Sequence, residues 1–183
     1  MASTSERRRS MVSREIETFI EYLDGARDHV LGILDGLPAD DLRRAVLPSG
    51  WNCLELVRHL TVDVERFWFR GVVAGEPAVT GTFVAGLTAH WHVPDGMSAE
   101  EVLADYRAEV EYANAVLAAL PDGLDREPAV WPVALWPGWR LPDLRSVLLH
   151  VVTETSVHAG HLDAVRELID GASWFGRDPY DKA

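Results

Sequence analysis

Between Leu144 and Gly171 the chain reads LRSVLLHVVTETSVHAGHLDAVRELIDG, and within that run stand His150, Glu154, His158 and His161. Residues three and four apart are neighbours on a helix, so these four side chains share one face. Leu148, Val151, Val152, Leu162 and Val165 lie on either side of them. A helix this apolar is expected to be largely buried, and imidazoles and a carboxylate in such a place need partners. One metal ion satisfies both residue types at once. Two histidines and a carboxylate, with positions left open, is a donor set of catalytic zinc and of non-haem iron.

The helical rise limits which residues can share an ion. At about 1.5 Å per residue, side chains four apart lie about 6 Å apart along the axis, whereas His150 and His158 lie about 12 Å apart. Spacing therefore leaves three pairs open: His150 with Glu154, Glu154 with His158, or His158 with His161. A third ligand must come from elsewhere, and His59 is the histidine set deep in another expected helix. The competing reading is a set of ordinary buried histidines bonded to one another and to carboxylates. His161 either orients a ligand or shuttles a proton beside the metal, or it bonds a core carbonyl, which is the preferred reading. His150 reads as a packing residue or a support for the ligands.

The elements that must position these residues follow from apolar periodicity. Residues 1–11 read as a flexible leader. From Val12 to Leu34 the positions Ile16, Phe19, Ile20, Leu23, Ala26, Val30 and Ile33 recur at helical spacing, and Gly36-Leu37-Pro38 follows. Ala39 to Leu47 can hold a short helical turn. A second helix opens near Trp51 and runs to about Val73, with His59 flanked one turn away by Glu55 and Asp63. Ser98 with Glu101 is a capping box that starts a third helix. The fourth starts after Asp143, a good cap, and closes at Gly171.

Two connectors separate these helices. The stretch 75–95 carries His90-Trp91-His92, and 124–142 carries Trp131, Trp136 and Trp139 among prolines. Placed at the open end of the helices, these indoles would wall an apolar pocket over the metal, although core capping or a dimer contact suits any single one. The whole reads as one all-α domain over residues 12–171, an antiparallel four-helix bundle, with a tail at 172–183 whose Trp174, Phe175 and Tyr180 can pack on the bundle or a second subunit.

Composition narrows the function. The 183 residues are 48% hydrophobic, enough for one sizeable core, and carry a net charge of −12. That charge repels phosphate backbones and anionic lipid, so neither nucleic acid nor membrane is expected as a partner. Cys53 is the only cysteine, which excludes an internal disulfide and fits a reducing cytoplasm. It reads as a small buried residue rather than a nucleophile. Glu65 and Arg66 read as surface or ion-pair residues.

The run LRSVLLHVVTETSVHAGHLDAVRELIDG, together with SGWNCLELVRHLTVDVERFWF upstream, resembles the DinB-like superfamily, which includes the N-terminal domain of mycothiol-dependent maleylpyruvate isomerase. The resemblance runs from Val12 to Gly171. It implies a four-helix bundle holding one divalent metal, with His59, Glu154 and His158 as ligands, zinc foremost and nickel or iron as alternatives. It also implies a low-molecular-weight thiol such as mycothiol, a small electrophilic substrate, and a homodimer. The isomerase carries a second domain for which this length leaves no room, so thiol transfer or thiol-assisted rearrangement is expected in place of maleylpyruvate isomerisation. The alternative is a metal-binding stress protein or sensor without turnover. An open pocket over the metal separates the two, because a non-catalytic site would be closed.

Overall fold

The computed structural model describes residues 4–86, 89–120 and 123–174, with side chains from residue 14 onward except that of residue 89. Among these residues every regular element is a helix: α1 (Thr4–Leu34), α2 (Ala39–Leu42), α3 (Cys53–His59, continued by Leu60–Val73), α4 (Pro77–Val84), α5 (Ala99–Ala118) and α6 (Leu144–Asp170), with a 3₁₀ turn at Ala89–Trp91. None is long and apolar enough to cross a membrane. α1 begins at Thr4, eight residues before the apolar repeat, because Ser5, Glu6 and Arg7 to Arg9 are polar yet compatible with a helix. Of the tail, Phe175 and Tyr180 lie outside the described residues. Trp174 stacks on His29, ring centroids 4.7 Å apart. It sits so close over Gly32 that a Cβ there would meet its ring at 2.3 Å.

The helix ends follow local chemistry. Ser98 accepts from the Glu101 amide while Glu101 accepts from that of Ser98, which fixes the start of α5. Asn52 and Glu55 do the same for α3, and Asp143 accepts from the Ser146 amide at the start of α6. Gly171 closes α6 at φ 79°, the left-handed conformation that glycine adopts without steric cost. At the end of α1, Arg166 reaches across from α6 and donates to the carbonyls of Ile33 and Asp35 at 2.7 and 2.9 Å.

α3 is not one α-helix. From Leu60 to Val73 it winds as a π-helix, and the Ala74 amide accordingly reaches back five residues to Phe69. It is buried on nearly all sides. Leu60, Val64, Phe67, Trp68, Phe69 and Val72 form the core with Leu23, Val30, Tyr106, Leu144 and Val151 of the other long helices. Glu65, read from sequence as a surface or ion-pair residue, is 1% exposed. Arg27 of α1 donates to its two oxygens at 2.8 and 2.6 Å. Arg66 pairs with Asp105 and Glu109 of α5.

Side-chain pairs fix the helix directions, and they correct the uniformly antiparallel arrangement. Glu15 meets Arg145, His29 meets Asp163 and Ile33 meets Arg166, so α1 and α6 run the same way. Arg58 meets Asp105 and Arg70 meets Glu109, so α3 and α5 also run the same way. Against α6, however, α3 is reversed, with His59 beside His158 and Trp68 beside His150. The reason is the connector from Ala74 to Ser98. It is far longer than a tight helix–helix turn and carries the chain back along α3, so that α5 restarts from the same end.

Candidate metal site and aromatic pocket

The reversed packing of α3 on α6 brings one of the sequence pairs, Glu154 with His158, to His59. His59, at the last turn before α3 widens, comes to lie against the second half of α6. His59, Glu154 and His158 each offer a ligand atom, all within 4.8 Å of one another. Among the described residues this is the only such group of three. His150 is brought instead to Trp68, ring centroids 4.8 Å apart, and stands away from the triad along the seam of the two helices.

The imidazoles are held from behind. His59 donates from Nδ1 to Asp63 Oδ2 at 2.7 Å, which leaves its Nε2 lone pair for the site. The other oxygen of Asp63 takes Nδ1 of His90, from the 3₁₀ turn, at 2.6 Å. Beside His90, the Trp91 indole stacks on the His59 ring at 4.2 Å. Asp63 thus ties together the α3 imidazole and the first connector. His158 turns Nε2 toward Glu154 Oε2 at 3.6 Å, and its Nδ1 lies 3.3 Å from Nδ1 of His161. His161 therefore reaches His158 and not a core carbonyl. Burial, and then the neighbouring His59, pushes the His158 pKa down to about 4, so at neutral pH its imidazole is uncharged and keeps a lone pair.

A cavity of about 510 Å³ opens beside this group and is lined by His59 and Glu154 of the three. His59, Glu154 and Asp63 lie at one end, and Phe67, Trp68 and Trp136 wall the other, with His150 among them. Trp136, from the second connector, lies parallel to Trp68 with 5.7 Å between ring centroids and 3° between planes. Trp131 and Trp139 pack against that pair from behind. Of the connector tryptophans, Trp91 and Trp136 line the pocket. Cys53 is fully buried, and burial pushes its thiol pKa up to about 11, which removes it as a nucleophile at neutral pH.

Asp63 and His90 are the residues whose part the sequence did not disclose. The i, i+4 spacing of His59 and Asp63 was a signal for the first. For His90, 27 positions further along, there was none beyond its residue type.

The donor set fits a divalent cation on three observations. Two imidazoles and a carboxylate converge, one imidazole has its outer nitrogen tied by a carboxylate, and the other is held neutral. Fold and site together define a protein whose described elements are all helical, with a candidate three-residue metal site beside an aromatic pocket. The model of the mycothiol S-transferase family matches residues 18–171, and the chain belongs to that family, a DinB-like one. No curated protein and no solved structure matches the chain.

Proposed function

We propose that the protein is a metal-dependent thiol S-transferase, which joins mycothiol or a similar low-molecular-weight thiol to a small electrophile. The observation that carries this reading is the convergence of His59, Glu154 and His158 within 4.8 Å beside an open pocket that His59 and Glu154 line, in a chain of the mycothiol S-transferase family. His59, Glu154 and His158 would hold one divalent ion, with zinc first and nickel or iron as alternatives. Such an ion supplies Lewis acidity, which favours the thiolate form of a thiol at neutral pH.

The chain's own residues do the rest. Asp63 keeps the proton of His59 on Nδ1, and His161 sits behind Nδ1 of His158. The aromatic walls exclude water and hold the electrophile. The sulfur then forms a bond to the electrophilic carbon, and either a leaving group departs with its electron pair or, on an activated alkene, the neighbouring carbon takes up a proton. The openness of the pocket favours an enzyme over a closed, non-catalytic metal site.

The same reading extends to the architecture and assembly. The four long helices α1, α3, α5 and α6 make a bundle of the DinB-like kind, its middle two running parallel. Leu149, Val157 and Leu168 of α6 are each more than half exposed and are the apolar surface available for the expected homodimer. A cytoplasmic location, where such thiols are kept reduced, suits the chemistry.

Elemental analysis of untagged protein, beside His59→Ala and His158→Ala, tests the site. About one equivalent of metal, lost in both variants, is expected. Mass spectrometry of a mixture of mycothiol and a neutral alkyl halide should then show a thioether formed only by the loaded protein. Metal content unchanged by either substitution overturns the assignment.

A further inference from the structure

The aromatic end of the pocket, one helical turn along α6 from Glu154, holds an imidazole without an assigned task. His150 lines the cavity, edge-on to Trp68 at 4.8 Å and to Trp139 at 5.8 Å. No side chain or carbonyl among the described residues hydrogen-bonds either of its ring nitrogens. By contrast His29, His59 and His90 each bond a carboxylate, and His158 lies against both Glu154 and His161. A half-buried imidazole between indoles, with both nitrogens free, is a polar group waiting for a ligand in an apolar wall.

The charge of the lining is equally specific. Among the described residues its acids are Asp63 and Glu154, and it contains neither lysine nor arginine. Apart from a divalent ion held at the triad, nothing in this wall would attract an organic anion, and away from the triad the lining is aromatic. The parallel Trp68–Trp136 pair and Phe67 instead offer flat apolar surface to a neutral ring.

We infer that His150 is a specificity-determining residue for the acceptor, which is a neutral, planar, apolar electrophile carrying one hydrogen-bonding group such as a carbonyl. His150 receives that group, and the molecule lies along the α3–α6 seam with its reactive carbon at the triad. His150 stands one helical turn from Glu154, so the polar atom and the reactive carbon of the acceptor are about 6 Å apart or somewhat more. Burial lowers the His150 pKa, which keeps the ring neutral and able both to donate and to accept. This inference rests on the S-transferase reading for its chemistry, but acceptor binding by itself requires neither thiol nor metal.

The test is calorimetric titration of the purified full chain with 1-indanone and with indane, the same bicyclic frame with and without the carbonyl. The affinity ratio of the two compounds in wild type is compared with that in H150F and H150Q. H150F should lower the ratio about fivefold, the value of one neutral hydrogen bond, while H150Q, which still donates and accepts, should keep half of it or more. Circular dichroism checks that H150F is folded, with H150L as the replacement if it is not. A ratio unchanged in H150F, a ratio lost equally in H150Q, or binding of neither compound overturns the inference. Binding as expected without any thioether product would instead count against the S-transferase reading alone.

Discussion

Replacing Asp63 by asparagine changes one atom in the group that joins two imidazoles. In the wild type each carboxylate oxygen accepts from a different ring, His59 at 2.7 Å and His90 at 2.6 Å, so both rings carry the proton on Nδ1. Asparagine offers one oxygen and one NH2. Only one ring can still donate, and the other must accept at Nδ1 and move its proton to Nε2. When that ring is His59, the lone pair needed by a metal is gone. Losing such an outer partner costs metal sites about 10–100-fold in affinity, or roughly 1.4–2.7 kcal/mol. Competition with a chromophoric zinc chelator at neutral pH reads this directly. The double variant Asp63→Asn/His90→Ala frees the asparagine oxygen for His59 and should bind metal more tightly than Asp63→Asn alone. An affinity for Asp63→Asn within threefold of wild type would refute the reasoning, because the proton on His59 would then be set by something other than Asp63.

Two further outcomes follow from the buried polar groups. Arg27→Met strands the Glu65 carboxylate, whose side chain is fully enclosed, and should cost about 3–5 kcal/mol, read as a melting temperature lower by roughly 6–20 °C. Arg27→Met/Glu65→Leu removes both charges and should recover most of that loss. A single variant as stable as wild type would show that water reaches Glu65. Cys53, its pKa raised to about 11 by burial, is about one part in a thousand thiolate at pH 8. Iodoacetamide should therefore label it only in denaturant, and rapid labelling of the native protein would contradict its burial.

Local chemistry in the sequence was enough for several features. Capping residues sit within three positions of the helix ends they fix, so Ser98, Asp143 and Gly171 could be read directly, as could the apolar repeat of each long helix. The polar stripe on α6 was equally legible, since helical spacing alone puts His150, Glu154, His158 and His161 on one face. Spacing could not say which pair serves the site, because His150 with Glu154 and Glu154 with His158 are the same i, i+4 pattern. The family resemblance pointed to the second pair. In the fold, the reversal of α3 against α6 sets His59 opposite His158 and leaves His150 to face Trp68. Helix direction depends on the path of a long connector, which no local pattern encodes, and so the parallel pairing of α3 with α5 was missed. The same holds for the bridge from His59 through Asp63 to His90 and for the tryptophans that enclose the pocket. These contacts join residues far apart in the chain, and only tertiary packing brings them together.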